Sequence, residues 1–106
     1  MAQSFFPNWQ DTVRYSSDGP VPRFLFEAPQ FRVLVGGLEA GQRLPVHPEA
    51  AAMYHILEGS GWMTVNDERF AFGSGATVVV PDGAARGIEA DTRLAFLAAR
   101  AGSAST

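Results

Sequence analysis

Apolar and polar residues alternate along this chain in short runs, and Gly, Pro, Asn or Asp closes almost every run. Eight stretches have β character: Arg23 to Glu27, Phe31 to Leu38, Arg43 to His47, Gly61 to Val65, Glu68 to Phe72, Gly75 to Val80, Arg86 to Ala90 and Arg93 to Arg100. The sixth contains Thr77-Val78-Val79-Val80, whose branched side chains suit a pleated sheet, and Pro81 ends it. Asn66-Asp67 separates the fourth from the fifth and forms a two-residue connection of the kind tight hairpins favour. Turn signals about every ten residues, with no convincing helix between them, predict an all-β sandwich or barrel.

One segment can be read two ways. Pro48 to Glu58 is rich in helix formers, opens on Pro and closes at Gly59, so local propensity favours a helix. Its second half, Met53 to Leu57, serves equally well as a buried strand. A lone helix would interrupt a series of short paired strands, so the expectation is a strand from Ala51 or Ala52 onward.

Residues 1–22 read as an irregular arm with Pro7, Pro20, Pro22 and the Ser16-Ser17-Asp18-Gly19 turn cluster. Phe5, Phe6, Trp9 and Tyr15 give this arm an apolar side, which predicts packing onto the body or onto a second subunit. Residues 23–101 then form one domain, and the small polar residues 102–106 form a flexible tail.

Composition narrows the chemistry. The chain of 106 residues fits a single domain, and its formal charge of −3 argues against a nucleic-acid surface. It has no cysteine, which excludes disulfides, thiolate metal sites and a Cys nucleophile. All eight basic residues are Arg, so Schiff-base chemistry and a P-loop Lys are excluded as well. The sequence contains no apolar run of membrane-spanning length and no signal-peptide pattern at its start, so the expected location is the cytoplasm, with no membrane partner.

The two histidines are His47 and His55. On extended backbone, residues two apart share a face, so His47 and Glu49 can converge on one ion or ligand. The turn between them leaves the placement of His55 open; with Tyr54 and Ile56 inward it would face out. Ser60 and Ser74 lie in Gly-Ser-Gly turn peptides and not in a nucleophile elbow.

Gly41-Gln-Arg-Leu-Pro-Val-His47-Pro-Glu49, followed by Ile56-Leu57-Glu58-Gly59, resembles the first motif of the cupins, and Gly75-Ala-Thr-Val-Val-Val-Pro81-Asp-Gly83-Ala-Ala-Arg86 resembles the second. The resemblance implies a single-domain double-stranded β-helix, a jelly-roll barrel with a pocket between the two motifs. The ligand set of the family carries over only in part. Its first His matches His47, its second His falls on Glu49, its Glu on Ala52 and its last His on Arg86. The usual iron or manganese site of three His and one Glu is therefore not expected, and no cofactor is.

Arg86 inside a barrel needs a partner, either Glu49 or an anionic ligand held by the guanidinium fork. The leading expectation is a small-molecule-binding domain with a degenerate metal site, in which His47, Glu49, Tyr54 and Arg86 take a small anion. His47 is the one catalytic candidate if a reaction occurs. One alternative is a metal-dependent enzyme of dioxygenase, isomerase or lyase type, with a divalent transition metal on His47, Glu49 and His55. Another is a structural dimerisation module, and the resemblance itself implies a homodimer. Trp62, Met63 and Phe96 are expected to pack in the core or the pocket wall.

Overall fold

The computed structural model describes residues 3–102, and within them nine strands form two antiparallel sheets. In chain order these are β1 (Val21–Glu27), β2 (Phe31–Leu38), β3 (Arg43–Pro48), β4 (Ala52–Glu58), β5 (Gly61–Val65), β6 (Glu68–Phe72), β7 (Thr77–Val80), β8 (Ala85–Ala90) and β9 (Leu94–Ala101). The first sheet runs β1-β2-β9-β4-β7 and the second β3-β8-β5-β6. The all-β barrel expected from the sequence is the observed architecture.

The ambiguous segment is strand β4 from Ala52. Its burial alternates, with Ala52, Tyr54 and Ile56 inward, and it pairs with β9 on one side and β7 on the other. Two ladders and one buried face outweigh a modest intrinsic preference for helix. Asn66-Asp67 closes the β5–β6 hairpin, with Asn66 at φ +53°, a left-handed conformation that Asn tolerates better than most residues.

The core lies between the sheets. Leu34 and Leu38 from β2, Tyr54 and Ile56 from β4, Met63 from β5, Ile88 from β8, and Leu94, Phe96 and Ala98 from β9 pack together there. Trp62 departs from the expectation made for it. It is one step out of phase with Met63, is 38% exposed, and carries the Arg69 guanidinium 4.3 Å from its ring centre. Strand alternation sends Met63 inward and Trp62 out.

The N-terminal arm covers the outer face of its own five-stranded sheet. A single 3₁₀ turn, Trp9–Asp11, leads into Val13, which packs with Val35 and Ala95 while Trp9 and Tyr15 flank them. The close fit requires Gly37, since a Cβ there would lie 2.1 Å from the Arg14 carbonyl oxygen. Arg93 fastens the end of the arm. Its guanidinium stacks 4.2 Å from the Tyr15 ring and donates two 3.0 Å hydrogen bonds to Glu39. Those bonds hold the Glu39 carboxyl below its usual range. Burial, helped by the negative charge of Glu58, pushes the Tyr15 hydroxyl up. The arm ends two residues earlier than the sequence reading placed it, because Val21 and Pro22 already pair with Gly37 and Gly36. β1 is an edge strand, the position within a sheet where proline is tolerated. Of the expected flexible tail, only Gly102 falls within the described residues, and its N–H donates to the Gln30 carbonyl at 2.8 Å.

Candidate ligand-binding site

Antiparallel pairing of β3 with β8 sets His47 opposite Arg86, after an irregularity in register between Leu44 and His47. On β8, Arg86 shares its face with Ile88 and Ala90, which are core residues, so the same period that buries them turns the guanidinium inward. Arg86 is only 5% exposed. Its Nε donates to the Ala84 carbonyl at 3.0 Å and its Nη2 to the Glu49 carbonyl at 3.0 Å. Its Nη1 is buried and has no protein partner.

Of the two partners expected for Arg86, Glu49 or an anionic ligand, Glu49 does meet it, though not through its side chain. Arg86 takes the backbone carbonyl of Glu49, while the carboxylate turns to two other groups. One oxygen accepts from Arg100 Nη1 at 2.7 Å and the other lies 2.7 Å from His47 Nε2. Nδ1 of His47 lies 3.0 Å from the Pro48 carbonyl, so both ring nitrogens face acceptors. His47 is at the rim, with its side chain 59% exposed.

Arg100 is the site residue that the sequence reading missed. Leu94, Phe96 and Ala98 alternate inward along β9, and the next residue in that phase is Arg100. The period that marks the core therefore also marks a cation at its end. Arg100 Nε, like Arg86 Nη1, is buried without a protein partner. The site thus holds two guanidinium groups and one carboxylate, leaving one positive charge in excess before His47 is considered.

His47, Glu49, Tyr54, Arg86 and Arg100 all line one cavity of about 170 Å³. Tyr54 stands on the wall supplied by β4, with its ring edge-on to Phe96 at 5.7 Å. His55 does not join them. It lies out of phase with Tyr54 and Ile56, and its Nδ1 is 2.8 Å from the Thr77 hydroxyl on β7. The alternative metal set of His47, Glu49 and His55 is thus not assembled. Among the described residues, no three His, Cys, Asp or Glu side chains gather where they could hold a metal ion.

A metal of the cupin type does not fit these residues. The donors are one imidazole nitrogen and one carboxylate, already engaged with each other, and a second-motif ligand position holds a buried guanidinium. A cation beside a metal ion raises the cost of binding it. Among the described residues, no helix is long and apolar enough to cross a membrane.

No protein-family model and no curated protein matches this sequence. Solved structures do match. The chain is 27% identical to an RmlC-like cupin protein from Desulfovibrio desulfuricans, over 93% of this chain and 97% of that one, with a TM-score of 0.82. A conserved protein of unknown function from Streptococcus pyogenes superposes with a TM-score of 0.85 at 22% identity, over 99% and 93% of the two chains. A Klebsiella pneumoniae protein with a double-stranded β-helix domain gives 0.84 at 17% identity, over 98% and 95%. The two-sheet barrel is a double-stranded β-helix.

Proposed function

We propose that this chain, which belongs by fold to the cupin superfamily, binds a small organic anion between its two sheets through Arg86 and Arg100. The observation that carries this reading is Arg86 itself: a guanidinium 5% exposed, with one N–H unpartnered, on the wall of a cavity. An unsatisfied buried donor costs about 1–3 kcal/mol, and more when the group is charged. A carboxylate removes that cost with charge-assisted hydrogen bonds and neutralises the excess positive charge in the same step. The cavity of about 170 Å³ suits a head group of this size. A water occupies about 30 Å³ of liquid, so a carboxylate with two or three carbons is the right scale.

The test is thermal unfolding in sodium acetate or propionate against sodium chloride at matched ionic strength. At ten times Kd the stabilisation is about 1.4 kcal/mol, which for a domain of this size raises Tm by about 6–11 °C. Wild type should show that rise. Arg86→Met, checked for a cooperative transition, should lose it. Equal Tm in carboxylate and chloride for the wild-type chain would overturn the reading.

A further inference from the structure

Resting on that anion site, we infer that the ligand is an amphipathic monocarboxylate whose apolar chain or ring fills a second cavity beside it. This larger cavity, of about 440 Å³, is lined by Phe24, Leu34, Leu38, Phe96 and Ala98, among others. It shares Leu44, Pro45, Tyr54 and Arg100 with the smaller one, so the two adjoin along a common wall. Its volume falls in the range of about 300–1,000 Å³ typical of small-molecule sites. The core strands supply an apolar surface on one side, and Arg100 stands at the end nearest the anion site.

The cavity also has a route of entry. Its rim comes from β1 and β3, each the outermost strand of its sheet, and these two edges pair with β2 and β8 but not with each other. Pro20, Pro22 and Pro45 lie on this rim. Proline has no N–H, so none of these positions can donate a backbone hydrogen bond across to the facing edge. Phe24, paired with Leu34 on the inward face, is nonetheless 42% exposed where the edges part. An aromatic ring half in water at the mouth of an apolar cavity is suited to covering a ligand.

Charge fixes the valency. The smaller cavity carries one positive charge in excess, from Arg86 and Arg100 against Glu49. Arg43 is the other charged residue lining the larger one, and it is largely exposed and lies 3.9 Å from Glu89. One carboxylate is therefore matched and a second is not.

Calorimetric titration of the full chain with acetate, butanoate, hexanoate and adipate separates this inference from the anion site itself. Affinity should rise by about fourfold per methylene from acetate to hexanoate, the gain for burying a CH₂. The heat-capacity change should become more negative along the series, and adipate should bind more weakly than hexanoate. Ala98→Leu, which places three more carbons in the larger cavity, should shrink the hexanoate-to-acetate ratio by about tenfold or more. Acetate binding with a flat series would overturn the apolar-tail inference and leave the anion site standing. Adipate binding as tightly as hexanoate, or an unchanged ratio in a folded Ala98→Leu, would also overturn it. Failure of every acid to bind would remove the anion site and this inference with it.

Discussion

Glu49→Gln is the substitution that separates the stability role of this cluster from its ligand role. The carboxylate accepts from Arg100 at 2.7 Å and lies 2.7 Å from His47, while the Glu49 carbonyl holds Arg86 and is unaffected by the change. The His47 side chain is largely exposed, so its contact contributes little. The Arg100 contact is different, because the two side chains are only 23% and 28% exposed. Two unit charges about 4 Å apart at an effective dielectric of 20 attract by about 4 kcal/mol, and desolvation offsets part of that. A net loss of about 2 kcal/mol follows, consistent with the roughly 1.5–3 kcal/mol of a hydrogen bond to a charged group. For a domain of this size that is a fall in Tm of about 8–16 °C. The amide also leaves both guanidinium groups without a countercharge, so acetate should stabilise Glu49→Gln more than it stabilises wild type. Urea unfolding in chloride and in acetate measures both effects. A variant within about 0.5 kcal/mol of wild type, or one that gains less from acetate, would refute the reasoning.

Other perturbations test neighbouring parts of the account. Gly36→Ala sets a Cβ 2.4 Å from the Phe96 ring, which must move within the larger cavity; a loss of about 1–3 kcal/mol and a weaker preference for hexanoate over acetate should follow by calorimetry. Met63 is fully buried between the sheets, so Met63→Ala should cost about 2–5 kcal/mol in urea unfolding. Arg93 holds the Glu39 carboxyl below its usual range, so that contribution to stability is present above the ordinary carboxylate range and is lost as pH falls through the lowered value. Glu39→Gln should therefore flatten the acid limb of the stability profile, while an unchanged limb would assign it to other carboxylates.

The fold was legible because its signals repeat. Short apolar runs, the β-branched Thr77 to Val80 and turn residues about every ten positions agree over most of the chain from Phe31 to Arg100, and the glycine and proline frame from Gly75 to Gly83 points to the same barrel. At Pro48 to Glu58 composition points to a helix and only the neighbouring ladders decide, so the strand could be read there only from its context. The site was half legible. His47, Glu49, Tyr54 and Arg86 do line one cavity, but which atom of Glu49 meets which cation depends on the irregular register of β3 and on backbone direction. Side-chain type alone carries neither. Arg100 went unread even though the alternation through Leu94, Phe96 and Ala98 pointed to it, because a charged residue near the end of a strand is usually solvated.

The central claim is that Arg86 and Arg100 together hold an anion, and their guanidinium N–H signals report on it directly. In ¹⁵N–¹H correlation spectra of the Arg Nε–H groups, assigned with Arg86→Met and Arg100→Met, titration with hexanoate should move the Arg86 and Arg100 signals along one saturable curve. The exposed Arg23 and Arg69 signals should stay in place. Saturable binding that leaves Arg86 and Arg100 unmoved would contradict the account.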